Sequence, residues 1–356
     1  MLLELKKVGD IIDRILREDD FPDRIQPDYL REAVLDYPVR GGKRLRPALL
    51  MWSCGIYGGS ESQAMLPAAA VEVFHNWTLV HDDIIDDDEV RRGAPSCHRR
   101  LAARAAKRFP NRSAGTVDKF GRDMAILCGD LQQAWANSLL LKSVEHGVPP
   151  AIAVALARRL QELTSRELIS GEALDVEFPM RELSGIAVAE VETMLYLKTG
   201  ILLQFSVECG AALALETTDF QIPEIRNLGR FALAAGVAFQ LRDDYLGLYG
   251  DFRKFGKTIG ADLREAKPTL LLLKAFELLP EDGRRQLQAL LKLERYSEAA
   301  LQQARTLVGD CGAAAFAAAR AEQLAAEAHD ILKTLPANRY RGLLQDLVDY
   351  LLTREL

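Results

Sequence analysis

An all-α fold is predicted for this 356-residue chain by three features of its sequence. Apolar residues recur at three- and four-residue spacing from end to end, which places them on one face of a helix. The alternating β-branched runs that mark strands are almost absent. Glycines and prolines fall between the periodic blocks, where helices stop.

The first block, 2–16, mixes charges with apolar residues and lacks the unbroken apolar stretch of a signal peptide. Further blocks run over 65–81, 122–142, 150–169, 187–214, 224–249 and 312–333. The last is strengthened by its alanines, the best helix formers. Breaks come at Pro38 to Gly42, Gly58-Gly59, Gly93 to Pro95, Pro149-Pro150, Pro179, Gly250 to Gly260, Pro280 and Pro336. No linker-like or low-complexity segment divides the chain, so one domain spanning 1–356 is expected. The segment 99–116 reads as a basic surface helix followed by a mobile loop.

With 49% hydrophobic and 27% charged residues the chain has ample material for a large core. A net charge of −6 argues against nucleic acid as a partner. The five cysteines are scattered and form no CxxC pair, which indicates neither a zinc site nor a disulfide framework. Reduced thiols in a cytoplasm are expected. No transmembrane segment is expected, because the longest apolar stretches, near 201–215 and 268–279, contain Gln204, Glu208 and Lys274.

Two acidic motifs carry the chemistry. HDDIIDDDEVRRG (81–93) ends a long apolar helix, and on it Asp82 and Asp86 share one face with Asp83 beside them. Like charges so placed repel, and a divalent cation compensates them. Mg²⁺ takes one or two carboxylates and completes its shell with water and phosphate oxygens. Arg91 and Arg92 follow at once, the residue type suited to phosphate. FQLRDDYLGLYGD (239–251) repeats the arrangement: an apolar helix ends in Asp243 and Asp244, then come Asp251, Lys254, Gly256, Lys257 and Gly260. One such acidic helix end is more often a solvated surface; two, each followed by cations, point to a diphosphate gripped through Mg²⁺ acting as Lewis acid.

Through these motifs and others the chain resembles the trans-isoprenyl diphosphate synthase family over most of its length. GGKRLRP (41–47), HDDIIDDDEVRRG, KFGRDMAILCGD (119–130), Lys198-Thr199, FQLRDD (239–244) and GKTIGADLREAKPTL (256–270) follow in that family's order. The resemblance implies a single large helical bundle of the isoprenoid synthase type with a central active-site cavity. It implies head-to-tail condensation of isopentenyl diphosphate with allylic diphosphates, three Mg²⁺ ions per site, and a homodimer. It places Gly42, Lys43, Arg46, His75 and Arg92 on the isopentenyl diphosphate. Asp82, Asp86 and Asp243, with Asp83 and Asp244 nearby, would hold metal on the allylic diphosphate. Arg91, Lys198, Lys257 and Lys267 would contact that diphosphate, and Thr199 and Gln240 would face the developing carbocation.

The physics fits. His75 lies two helical turns before Asp82 on the same face, although a satisfied helix histidine would read the same. Lys198 sits in an otherwise apolar stretch, where a lysine needs an anion unless it snorkels to the surface. Three departures stand out: Gly247 replaces the third aspartate of the second motif, Glu172 stands where many members carry Gln, and the connection from Cys97 to Lys119 is long.

Product length is expected to depend on what lies below the first aspartates. Trp77 is about 7.5 Å down the helix axis from Asp82, an aromatic at the level that floors the tail pocket in the family. Thr78 beside it is small, and Phe74 lies one turn deeper; ordinary core packing of both aromatics is compatible with the same role. The combination favours geranylgeranyl diphosphate (C20), with farnesyl (C15) or longer products as alternatives. A class I terpene cyclase would need no second diphosphate site, which GGKRLRP and Arg91-Arg92 supply. A non-catalytic partner subunit would not need both aspartate pairs with Lys198-Thr199.

Overall fold

A computed structural model describes residues 1–250, 263, 267–291, 293 and 297–353. Two compact units make up the chain: Met1–Leu160 with Ser206–Ile225, and Gln161–Phe205 with Arg226–Leu356. Among the described residues nearly all structure is helical, and the one sheet is a two-stranded hairpin.

The first unit runs through α1 (Leu2–Glu18), α2 (Asp28–Val39), α3 (Leu45–Ile56) and α4 (Glu61–Ile85). The hairpin β1 (Val90–Arg91) and β2 (Ala94–Pro95) follows, then α5 (Cys97–Arg108), α6 (Ala114–Lys142) and α7 (Pro150–Arg159). α4 is apolar around most of its circumference and is buried accordingly, with Ala68, Ala69, Val71, Val73 and Phe74 all fully enclosed. It packs on α3 and α6. That packing fixes the end of α4, where the first aspartates lie.

In the second unit a π turn (Leu160–Ser165) leads into α8 (Arg166–Glu177). After α9 (Val188–Leu195) a second π turn (Tyr196–Gly200) leads into α10 (Ile201–Ala214), which belongs to the first unit from Ser206, and α11 (Pro223–Tyr249) belongs to the second from Arg226. Beyond these come α12 (Leu270–Leu278), α13 (Glu281–Leu291), α14 (Glu298–Asp310), α15 (Ala313–Lys333) and α16 (Arg339–Thr353). Leu271, Leu272, Ala275, Leu287, Ala304 and Val308 are at the centre of a core that α12, α13 and α14 share.

The helices differ from expectation at identifiable places. α6 begins at Ala114 instead of 122, and Ser113 caps it by accepting from the Thr116 amide. The loop expected after the basic helix is therefore only the short turn 109–113. α5 itself is strapped down by charge: Arg99 pairs with Asp87, Arg100 with Asp36, and Arg104 with Glu32. Pro38, read as a break, sits in the last turn of α2. No described helix is long and apolar enough to cross a membrane.

Candidate active site

The basic loop before α3 sorts its arginines by depth. Arg44 is turned inward, 4% exposed, and its guanidinium bonds Glu72, Asp13 and the Pro38 carbonyl. Its backbone is left-handed, at φ 49°, a conformation that costs a non-glycine residue about 1 kcal/mol or more. Arg46 reaches His75 instead, Nη1 donating to Nε2 at 3.1 Å. The Arg46 Nε is buried without a hydrogen-bond partner among the described residues. Burial pushes Arg46 down to about 10, and Arg92 nearby adds to the effect. Burial, then the charges of Arg46, Arg92, Arg91 and Arg44, hold His75 well below the usual histidine range, so it is neutral at pH 7. Lys43 is exposed on the same loop.

Arg91 and Arg92 are presented by the hairpin. Arg91 pairs with Ala94, leaving Arg92 and Gly93 as the two central residues of the turn. Both have positive φ, 52° and 75°, as a type I′ turn requires. Arg92 donates to the carbonyls of Tyr37 and Gly41. Gly42 is at φ 146°, and a side chain there would meet the Arg92 Nη2 at 3.1 Å. The glycine thus lets the guanidinium lie against the loop.

The aspartates at the end of α4 divide. Asp82 and Asp86 are both partly exposed, and the Asp86 amide still bonds the Asp82 carbonyl at 2.8 Å, keeping them one turn apart. Asp83 is fully buried; one oxygen accepts from the Tyr37 hydroxyl and the other from Arg91, at 2.6 Å from its Nε. Burial raises the Asp83 carboxyl, while Arg91 and Tyr37 oppose the shift. Both Asp83 oxygens are thus engaged within the protein, one with Tyr37 and one with Arg91. The pair Asp82–Asp86 suits Mg²⁺, a hard cation that uses few carboxylates and keeps positions for other oxygens. Among the described residues no group of three or more His, Cys, Asp and Glu side chains forms an all-protein cage.

Below the aspartates, Trp77 is 7% exposed and Phe74 fully buried, their rings tilted with centroids 4.7 Å apart. His81 continues the stack, 5.8 Å from Trp77. Thr78 is bonded to the His75 carbonyl, so the two predicted roles share one helical turn.

In the second unit Lys198 lies on the π turn and faces α8, its Nζ 2.6 Å from Asp175 and 2.8 Å from Glu172. Lys267 is 3.6 Å from the same Asp175. Thr199 is partly exposed beside Lys198. On α11, Gln240 donates to Asp244 at 2.9 Å, and Asp243 and Asp244 are both partly exposed. Gly247 and Asp244 line the same small cavity. Lys257, with Asp251, Lys254, Gly256 and Gly260, lies outside the described residues.

Sequence reasoning missed Asp175, Glu72, Asp13 and Tyr37. Glu72 and Asp83 share the apolar face of α4, and a carboxylate inside an apolar run is the signal that would have found Glu72. Asp13 and Tyr37 carried no such signal.

Comparison with known proteins gives the family. Residues 28–308 match the family model described as polyprenyl synthetase. The geranylfarnesyl diphosphate synthase of Aeropyrum pernix is 35% identical over 334 residues, covering 93% of this chain and 96% of that protein. The crystal structure of a geranylgeranyl pyrophosphate synthetase from Pyrococcus horikoshii superposes with a TM-score of 0.85 at 31% identity, over 99% of this chain and 98% of that one. A geranylgeranyl pyrophosphate synthase from Corynebacterium glutamicum, solved with isoprenyl diphosphate and magnesium, has a TM-score of 0.82 at 25% identity and covers 98% of both chains. This chain belongs to the polyprenyl synthetase family and is a prenyltransferase that elongates isoprenyl diphosphates.

Proposed function

We propose that the chain condenses isopentenyl diphosphate head to tail with allylic diphosphates and stops at geranylgeranyl diphosphate. The observation that carries this reading is the cation cluster around Arg46. A guanidinium with a buried, unpartnered Nε, beside a neutral histidine and Arg92, is suited to an added anion. This cluster is separate in residues from the Asp82–Asp86 pair, which supports two diphosphates instead of the single one a cyclase needs. Gly42, Lys43, Arg46, His75 and Arg92 bind isopentenyl diphosphate. Arg91, oriented by Asp83, binds the allylic diphosphate with Lys198, Lys257 and Lys267.

Asp82, Asp86, Asp243 and Asp244 hold Mg²⁺, three ions per site, which when bound neutralise charge on the departing diphosphate. The relative solved with magnesium supports that choice of metal. The arginines and lysines stabilise the leaving pyrophosphate, and Thr199 and Gln240 face the allylic cation as the isopentenyl double bond attacks it. The proton released in the last step passes to the departed pyrophosphate. Trp77, backed by Phe74, closes the tail pocket at the C20 length. We also propose a cytoplasmic homodimer, supported by Ile126, Leu127 and Leu141 on α6, each 44–49% exposed.

Incubation with Mg²⁺, isopentenyl diphosphate and labelled allylic diphosphates, followed by product chromatography, tests the reading. C20 product is expected; C15 or C25 would overturn the length assignment, and a cyclic hydrocarbon without isopentenyl consumption would overturn condensation. Asp82→Ala should stop turnover with an unchanged circular dichroism spectrum.

A further inference from the structure

We propose that Glu172 sets how tightly the enzyme holds its allylic diphosphate, by competing with that diphosphate for Lys198. The inference rests on the reading that Lys198 contacts the allylic diphosphate.

The arrangement is built by close packing. A side chain at Gly171 would come within 2.4 Å of the Lys198 backbone nitrogen and 2.7 Å of the Leu197 carbonyl carbon. Only glycine permits α8 and the π turn to touch backbone to backbone. The residue after Gly171 is therefore delivered to the lysine head, and Glu172 and Asp175 both reach Nζ, at 2.8 and 2.6 Å.

The two carboxylates are not equivalent. Asp175 is the deeper, with its side chain 9% exposed, and it also faces Lys267 at 3.6 Å. It anchors both lysines. Glu172 is 19% exposed and carries the longer, more adaptable side chain. One carboxylate suffices to keep a half-buried ammonium charged, so the second adds negative charge where a diphosphate is to be received. An arriving phosphate oxygen displaces the side chain that yields more readily, which is Glu172. An amide of the same shape would not contest the lysine.

Glu172→Gln should therefore lower the KM for the allylic diphosphate by roughly 5-fold, the scale of one partly exposed ion pair, while the KM for isopentenyl diphosphate stays put. The product carries the same diphosphate as the allylic substrate. Slower release should lower kcat where release limits turnover, and the retained product should undergo more additions, lengthening the mean product.

The test is steady-state kinetics with both substrates varied, on the unmodified enzyme, Glu172→Gln, Glu172→Asp and Lys198→Ala, with products sized by chromatography. Expected are a lower allylic KM in Glu172→Gln alone, return toward the starting value in Glu172→Asp, and a raised allylic KM in Lys198→Ala. A raised KM in Lys198→Ala with an unchanged or raised KM in Glu172→Gln overturns this inference and leaves the reading of Lys198 standing. An unchanged KM in Lys198→Ala overturns the reading and the inference together.

Discussion

Replacing Arg44 with methionine removes the cation from a carboxylate that has no route to solvent. Glu72 is 2% exposed, and once Arg44 is gone its remaining donors are Asn76 Nδ2 at 3.2 Å and Arg92 at 3.9 Å. Breaking a buried ion pair from one side costs about 3–5 kcal/mol because the other charge is stranded. Asn76 and Arg92 partly compensate, which places the loss near the lower end, at about 3 kcal/mol. Asp13, whose side chain is 36% exposed, can rehydrate and adds little. The assay is urea unfolding followed by tryptophan fluorescence. Trp52, Trp77 and Trp135 are all buried in the unit containing Arg44, so the signal reports that unit alone. With a slope of about 3 kcal/mol per molar urea, the midpoint should fall by about 1 M. Adding Glu72→Gln removes the stranded charge, and the double variant should recover much of that loss. A fall of less than about 0.3 M, or losses that simply add in the double variant, would refute the argument.

Trp77→Ala should lengthen the product, read by chromatography; unchanged length would mean that the ring is core packing only. His75, His81 and His98 are each held below the usual histidine range, burial being the first cause for all three. Their unfolded forms protonate near pH 6.5 and the folded forms only at lower pH, so the stability they contribute is full above that pH and declines as pH falls below it. Each should steepen the decline by up to about 1.4 kcal/mol per pH unit, and His81→Asn should remove one such share from urea midpoints measured just below about pH 6.5. Gly171→Ala places a methyl against backbone and should raise the allylic KM while costing about 1–3 kcal/mol of stability. Chelation by EDTA should stop turnover, added Mg²⁺ should restore it, and the metal-free protein should keep its tryptophan-monitored midpoint.

How much could be read from the sequence differed by residue. α1 and α15 were legible because each has a polar face to set against its apolar one. α3 was not, since LRPALLMWSCGI is apolar at most positions and is buried without a break from Pro47 to Cys54. The paired aspartates, Arg91, Arg92 and Lys198 were legible as chemistry because charge beside an apolar run is costly unless used. What they touch was not. That Asp83 belongs to Tyr37 as well as Arg91, and that Arg44 faces inward while Arg46 faces His75, depends on contacts between residues 46, 28 and 29 apart in the chain. The ion pairs of Arg99, Arg100 and Arg104 likewise turn a stretch that reads as basic into a neutralised strap.

The π turn at Tyr196–Gly200 gives the chain an unusual tolerance. Such a turn holds one residue more than the α-helix around it needs, so it can lose a residue and close into regular helix without disturbing either flank. Deleting Thr199 should leave α9 and α10 joined and folded, yet swing Lys198 by about 100° relative to one of them. In a library of single-residue deletions, this position would score as soluble and inactive, whereas deletions in buried helices that lack such a turn would score as insoluble.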